Sequence, residues 1–196
     1  GMVRFDGLWW YGDYRLAMDR ANALGRYMLI YFYDRNASPA QQEFETETLA
    51  NPTIREQLRC FTCARLPLDA SIKIDGKKLR LLDDPTFYEM LGRPGIAIID
   101  LANREADYHG CVVSCFPLLN WHKYTPDRML AMLNLPAGTL TQRTLVYAVR
   151  VHPEGPASTQ GSADPYVMAE ATQHTLNQAM THNMGHQGWG ARYQRV

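Results

Sequence analysis

Apolar runs and alternating segments along the chain predict its strands. The run YMLIYFY, Tyr27 to Tyr33, is short, apolar and aromatic, which is typical of a buried strand. GIAIID, Gly95 to Asp100, predicts a second strand of this kind. RCFTCARL alternates and predicts a strand over Phe61 to Leu66, and ADYHGCVV predicts a further strand. SIKIDGKKLRL alternates on both sides of Asp75-Gly76, which is a hairpin signal.

Most predicted helices start with the same sequence feature, a capping residue followed by proline. Ser, Asn, Asp and Thr accept backbone hydrogen bonds at the N-cap, and proline suits the first helical position because it has no N–H. These pairs are Ser38-Pro39, Asn51-Pro52, Asp84-Pro85, Thr125-Pro126 and Asp164-Pro165. The Ser38 helix is predicted to run to about Ala50, a short helical turn covers Ile54 to Leu58, and Gly92 ends the Asp84 helix.

One earlier helix is predicted from periodicity alone, over Tyr14 to Leu24 with Gly25 as its stop. The apolar residues assigned to one face are Leu16, Ala17, Ala21 and Leu24. The resulting order is helix, strand, helix, strand, hairpin, helix, strand, strand, helix. This order predicts an α/β domain with a central mixed sheet over residues 2–136.

Residues 137–196 are predicted to form a helical extension of this domain. Periodicity does not decide whether TLTQRTLVYAVRV, 139–151, is a helix or a strand. HPEGPASTQGSA, 152–163, is rich in Pro, Gly and Ser and predicts a linker. Asp164-Pro165 then opens a helix to about Met184. Its predicted apolar stripe consists of Met168, Ala171, Thr175, Leu176, Ala179 and Met180.

Composition is that of an ordinary globular protein, since 46% of the 196 residues are hydrophobic and 20% are charged. The formal net charge is zero, so no broad attraction to nucleic acid is expected. No apolar run is long enough to span a bilayer. We expect a cytoplasmic chain as it stands, with export as the alternative if a precursor was trimmed.

The first ~135 residues resemble the thioredoxin-like superfamily, in the branch whose N-terminal helix opens on a tryptophan. The resemblance lies in WWYGDYRLAMDRANALGRYMLIYFY, FETETLANPTIREQLRCFTCARLPLD and GRPGIAIIDLANREADYHG. It implies a thioredoxin-like fold and a cis peptide bond before Pro94, with Arg93 preceding it. Cis bonds are a minority of X–Pro bonds, about 5–6% in folded proteins.

The same resemblance places the family's C-x-x-C on Ser38-Pro39-Ala40-Gln41, where both sulfurs are missing. Dithiol–disulfide exchange needs an attacking thiolate and a resolving thiol, so the resemblance implies a member without this activity. No catalytic residue is therefore carried over. The four residues also fit an S-x-x-Q capping box, which gives them a structural role.

A second resemblance, to the opening of a CAP domain of the cysteine-rich secretory and pathogenesis-related superfamily, covers about 50 residues. It lies in LVYAVRVHPEG and DPYVMAEATQHTLNQAMTHNMGHQGW, where His174 and His186 match. It implies that the chain is the N-terminal part of a larger protein whose function lies in a missing CAP domain. The alternative is a helical hairpin that is similar by chance.

Cysteine spacing gives one rival site. Cys60 and Cys63 are formally a C-x-x-C, but in a strand they point to opposite faces about 10 Å apart, so we do not interpret them as a redox pair. Cys111 and Cys115 flank VVS and would meet if the chain bends there, which gives a possible thiol pair. Two small buried thiols are the alternative.

Histidines and tryptophans receive mainly structural interpretations. His182 and His186 have the i,i+4 spacing of metal ligands on a helix, but Gly185 lies between them and the metalloprotease Glu is missing. We therefore expect capping or solvated histidines and no metal or other cofactor. His109 and His122 are assigned structural roles. Trp9 and Trp10 are assigned to core packing, with an exposed aromatic surface as the alternative.

The function predicted from the sequence is non-catalytic binding. The candidate groove lies between the Ser38 helix start and the Pro94 loop, and its ligand is a peptide, a protein partner or a small anion. Residues assigned to it are Ser38, Pro39, Gln41, Arg35, Arg93 and Pro94. The alternatives are a thiol oxidoreductase that uses Cys111 and Cys115, and the larger CAP-containing protein.

Overall fold

A computed structural model describes residues 1–5, 7–119, 123–160, 162, 164–182, 185, 190 and 194, without the side chains of residues 159 and 160. The chain divides into two compact units, Gly1–Gly155 and Pro156–Val196. Each unit is described here by itself.

The first unit contains a mixed six-stranded sheet and a separate two-stranded hairpin. The strands are β1 Met2–Phe5, β2 Leu8–Tyr11, β3 Met28–Tyr33, β4 Thr62–Pro67, β5 Ser71–Ile74, β6 Lys77–Arg80, β7 Gly95–Ile99 and β8 Val112–Pro117. The order in the sheet is β1-β2-β4-β3-β7-β8, and β5 and β6 form the hairpin. The parallel pairs are β2 with β4 and β3 with β4, and the other neighbours are antiparallel. The predicted α/β class with a central mixed sheet is confirmed.

Helices lie on both sides of this sheet. The α-helices of the first unit are α1 Tyr14–Leu24, α2 Pro39–Glu43, α3 Pro52–Leu58, α4 Pro126–Leu133 and α5 Leu140–Arg150. A π-helical segment, Phe44–Leu49, continues α2, and 3₁₀ turns cover Leu81–Asp83 and Pro85–Met90. Each predicted cap–proline pair opens a helix, and the side chains of Ser38, Asn51, Asp84, Thr125 and Asp164 accept from backbone amides at these starts.

Strand β3 is buried on both faces because the sheet has a core on each side. Leu29 and Tyr31 point to a core with Trp10 and Phe44, while Ile30 and the other alternate residues point to a second core. The second core includes Ala17, Ala21, Met28, Ile30, Phe32, Phe87 and Met90. Complete burial of each large apolar side chain contributes about 1.5–3 kcal/mol. The continuous apolar run of β3 therefore reflects its central position.

Helix α1 has the predicted bounds, with Asp13 as its cap and Gly25 in the left-handed conformation at its end. Ala17 and Ala21 are fully buried, as predicted. Leu16 and Leu24 are wrongly assigned to the same buried face, since they are 51% and 41% exposed. The contact between α1 and the sheet is therefore close and made by small residues.

Most of the strand predicted from ADYHGCVV is wrong, because the chain turns before β8 begins at Val112. The carboxylate of Asp100 accepts from the amides of Ala102 and Asn103, which folds the chain directly after β7. The amide of Gly110 donates back to the Asp100 carbonyl, and Gly110 has a φ of 79°. The alternating pattern there is a compact turn followed by a strand.

The cis bond expected before Pro94 is also wrong, because no peptide bond among the described residues is cis. The trans form is favoured even before proline, by about 0.5–1 kcal/mol. The Pro94 carbonyl accepts from the amide of Leu118 at 2.7 Å, next to the pairing of Gly95 with Pro117. The peptide bond before Pro94 is therefore trans, and Pro94 leads directly into β7.

Residues 140–150, which periodicity left open, form helix α5 and belong to the first unit. Thr139 and Gln142 make a complete capping box at its start. The buried residues of α5 are Arg143 and Tyr147, and the rings of Tyr147 and Phe116 make an edge-to-face contact with centroids 4.7 Å apart. The first unit therefore extends beyond the predicted division at residue 136, to Gly155.

The second unit contains a short 3₁₀ turn, Ala157–Gln160, and helix α6 Pro165–Thr181. The helix starts at the predicted Asp164 cap and ends at Thr181, where His182 is left-handed with φ 50°. Its predicted end, Met184, lies outside the described residues. None of its described residues is buried, and Met180 of the predicted stripe is 81% exposed. None of the described helices is long and apolar enough to cross a bilayer.

Candidate functional site

The start of α2 is held by Ser38 and Gln41. The Ser38 hydroxyl accepts from the Gln41 amide at 3.2 Å, which is the first half of the predicted capping box. The second half is not made, because the buried Gln41 side chain turns to the preceding loop instead. Its Oε1 accepts from the amide of Asp34 at 2.9 Å, and its Nε2 donates to the Asp34 carbonyl at 3.1 Å. Gln41 therefore fixes the β3–α2 loop.

A polar cluster around Glu45 lies beneath this helix start. The hydroxyl of Tyr31 donates to Glu45 Oε1 at 2.7 Å, and Gln41 Nε2 donates to the same oxygen at 3.2 Å. Arg65 Nη2 is 3.4 Å from it. Burial and the hydrogen bond to Glu45 raise the pKa of Tyr31. The carboxylate is thus satisfied by groups of the same chain, which gives the cluster a structural role.

Arg65 of β4 packs against aromatic rings beside this cluster. Its guanidinium carbon lies 3.7 Å from the ring centroid of Tyr33 and 4.4 Å from that of Phe5. Cation–π contacts of this kind stabilise by about 0.5–2 kcal/mol. The guanidinium is therefore engaged by side chains of the same chain, which gives Arg65 a structural role.

Arg35 and Arg93, which were predicted to bind an anion near Ser38, make their polar contacts elsewhere. Arg35 Nη1 is 2.5 Å from Asp69 Oδ2, and this hydrogen bond lowers the pKa of Asp69. The backbone of Arg93 donates to the Met90 carbonyl. Among the described residues, no hydrogen bond or ion pair joins Arg35, Arg93 or Pro94 to Ser38.

A cleft lies on the side of α2, between the helix and the chain that follows β8. We call it the α2 cleft, and its volume is about 70 Å³. Small-molecule pockets are typically larger, about 300–1,000 Å³, so the α2 cleft has room for a side chain and not for a cofactor. The residues that line it are Ala40, Glu43, Phe44, Glu47, Thr48, Leu118, Leu119, Lys123, Tyr124, Thr125 and Pro126.

Two contacts hold the walls of the α2 cleft together. The Thr48 hydroxyl donates to the Tyr124 carbonyl at 2.6 Å in a buried position. Lys123 Nζ donates to Glu43 Oε1 at 2.6 Å at the exposed rim. The hydrogen bond to Glu43 and the charges of Glu43 and Glu47 raise the pKa of Lys123. The rim therefore carries two carboxylates and one ammonium group.

Sequence reasoning missed this cleft, because its two walls are about 80 residues apart in the chain. The available signal was weak. Glu43 and Glu47 are four residues apart, as are the apolar residues Ala40 and Phe44, and this spacing places the members of each pair next to each other on a helix. The π-helical geometry of Phe44–Leu49 had no signal in the sequence, and π-helical turns are frequent at functional sites.

All cysteines are free thiols, and the structure separates Cys111 from Cys115. Cys111 immediately precedes β8 and Cys115 lies within it, so their Cα atoms are roughly 10–13 Å apart. A disulfide needs a Cα separation below about 7 Å. Burial, with a smaller contribution from the charge of Glu89, raises the pKa of Cys115 to about 12. Burial raises the pKa of Cys63 to about 12 as well, while Cys60 is exposed.

The remaining candidates are the tryptophans and histidines singled out in the sequence. Trp10 is 1% exposed and belongs to the core, whereas Trp9 is 59% exposed. His109 is half-buried in the turn before β8. His174 lies on α6 and His182 follows its end. His122 and His186 lie outside the described residues, so the i,i+4 pair of His182 and His186 stays a prediction. No group of three or more His, Cys, Asp or Glu within the described part of the chain is placed to hold a metal.

Comparisons of the chain with protein-family models, with curated proteins and with solved structures give no match. The geometry of the site is therefore the basis for the functional interpretation.

Proposed function

We propose that the first unit is a thioredoxin-like domain without dithiol–disulfide exchange that binds a peptide or protein partner in the α2 cleft. The fold part of this proposal is supported by β3, α2 and β4, which form a βαβ unit with parallel strands. A C-x-x-C beside such a unit is the thioredoxin-like redox motif. In this chain Ser38 and Gln41 stand at those positions and serve the cap and the loop.

The observation that carries the binding proposal is the α2 cleft itself. Its floor includes Phe44, Leu118 and Tyr124, and its rim has Glu43, Glu47 and Lys123. A small apolar recess with a polar rim is the arrangement that takes an anchor side chain of a protein partner. The cleft is too small for a nucleotide or a flavin.

The cleft lies beside the groove predicted from the sequence. It shares helix α2 with that groove, and Leu118 on its floor is hydrogen-bonded to the Pro94 carbonyl. Of the three predicted ligand classes, a small anion is disfavoured because the rim carries the carboxylates of Glu43 and Glu47. A peptide with an apolar side chain is the ligand that fits the described residues.

Selection of peptides from a phage-displayed random library tests this proposal. Peptides selected on the wild-type chain are expected to lose at least about tenfold in affinity for Ala40→Arg, whose long side chain fills the cleft. Arginine is a good helix former, so α2 is expected to persist, which circular dichroism checks. Ala23→Arg, at an exposed alanine of α1 outside the cleft, is the matched control for charge and for residue type. Equal affinity for wild type and Ala40→Arg would exclude the cleft as the binding site.

A further inference from the structure

The β5–β6 hairpin carries most of the lysines of the chain. The sequence contains four lysines, and Lys73, Lys77 and Lys78 lie on this hairpin. Arginine supplies nearly all other positive charge, so the concentration of lysine on one short element is unusual for this sequence. All three lysines are exposed.

The register of the hairpin places two of these lysines directly opposite each other. Lys73 pairs with Lys78, and Ile74 pairs with Lys77, around a turn at Asp75 and Gly76. Opposite residues of an antiparallel pair share one face, and like charges there are destabilising. The turn fixes this register, because both of its central residues have positive φ, 49° and 76°. The two ammonium groups are therefore held on the same side.

Two of the three carboxylates next to the hairpin are paired with arginines. Asp69 is paired with Arg35, and Asp83 is paired with Arg80 at 3.6 Å. No ion pair found among the described residues includes Lys73, Lys77 or Lys78. Arg15 of α1 adds a further cation, since its guanidinium donates to the Lys73 carbonyl. The Lys73–Lys78 face thus has an excess of positive charge in a chain whose formal net charge is zero.

We propose that the Lys73–Lys78 face of the hairpin binds an acidic segment of a partner protein. Carboxylates of that segment neutralise the two opposed ammonium groups, which removes the cross-strand repulsion. This surface is separate from the α2 cleft and does not depend on binding there.

An acidic protein segment fits this surface better than a nucleic acid does. A nucleic-acid footprint is a basic stripe that follows several phosphates, and its affinity comes from many Lys and Arg contacts. Here the basic face covers one four-residue strand pair, and Asp69, Asp75 and Asp83 adjoin it. A short segment with two or three carboxylates meets the lysines without extending over these acidic neighbours.

Fluorescence anisotropy with the full chain tests the proposal. The probe is a labelled short peptide of Asp and Glu, measured at low ionic strength. Lys73→Glu/Lys78→Glu is expected to weaken binding at least about tenfold, and binding to wild type is expected to fall with added salt. Arg4→Glu/Arg20→Glu changes the net charge equally at exposed positions elsewhere and is expected to retain binding.

Thermal unfolding distinguishes a loss of binding from a loss of folding. Lys78→Glu places opposite charges across the hairpin and is expected to raise the melting temperature by about 1–4 °C while binding of the acidic peptide falls. No binding to wild type, or equal losses in both double variants, would overturn the proposal. Tighter and equally lysine-dependent binding of duplex DNA or phosphatidylserine vesicles would also overturn it.

Discussion

Replacement of Gly95 by alanine is expected to lower the free energy of unfolding by roughly 4 kcal/mol. A Cβ at this position would lie 2.3 Å from the Phe116 carbonyl oxygen and 2.8 Å from the Pro117 Cα, and Gly95 has a φ of 149°. The strained backbone costs about 1–3 kcal/mol and the overpacking about 1–3 kcal/mol more. Because both close atoms belong to the backbone of β8, no side-chain rotation relieves the contact. Urea unfolding followed by tryptophan fluorescence measures the loss.

Gly25→Ala is the matched control for this substitution. Gly25 has a positive φ of 59°, but no atom lies within 4 Å of its added Cβ. It is therefore expected to lose only about 1–2 kcal/mol, the cost of a left-handed alanine. Equal losses at the two glycines would contradict the close approach of β7 and β8 at Gly95.

Arg143→Met is expected to lower the free energy of unfolding by about 3 kcal/mol. Arg143 is 2% exposed and donates to Ser114 Oγ at 2.9 Å and to the carbonyls of Leu135 and Pro136 at 3.2 and 2.8 Å. Hydrogen bonds to charged groups contribute about 1.5–3 kcal/mol each, and relief of the cost of burying the guanidinium offsets part of their loss. That burial also lowers the pKa of Arg143. Methionine retains the apolar stem, so the change mainly reports the polar contacts.

The control for Arg143→Met lies on the same helix. Arg150 donates to the Asn134 carbonyl at 2.7 Å in an exposed position, so Arg150→Met is expected to lose less than about 1 kcal/mol. The same denaturant titration compares the two variants. If both lose equally little, α5 is not held to the sheet by Arg143.

The elements that sequence patterns predicted well are those decided by local chemistry. Ser38, Asn51, Asp84, Thr125 and Asp164 each cap a helix because capping depends on a few consecutive residues. The Asp75-Gly76 turn follows from the tolerance of these residues for positive φ. The apolar run of β3 required burial on both faces, which the two cores provide.

Predictions failed where distant contacts decide the outcome. The buried face of α5 contains Arg143, so a charged residue interrupts its apolar pattern and periodicity could not separate helix from strand. The strand predicted from ADYHGCVV failed because the amides of Ala106, His109 and Cys111 close successive turns, which the alternating pattern does not reveal.

The candidate site was located only approximately for the same reason. Its helix was identified from Ser38-Pro39, but its second wall comes from Lys123 and Tyr124, far along the chain. Gln41 fitted a capping box, yet its side chain binds Asp34. Residue types at the helix start were thus informative about capping and not about where a ligand binds.

The proposed lack of dithiol–disulfide exchange is tested most directly by an insulin-reduction assay with dithiothreitol. Ser38 and Gln41 have no sulfur, and Cys111 and Cys115 are too far apart to form a disulfide within the fold. The expected result is insulin precipitation no faster than with dithiothreitol alone. Acceleration by the wild-type chain that is lost in Cys111→Ser/Cys115→Ser would contradict the proposed function.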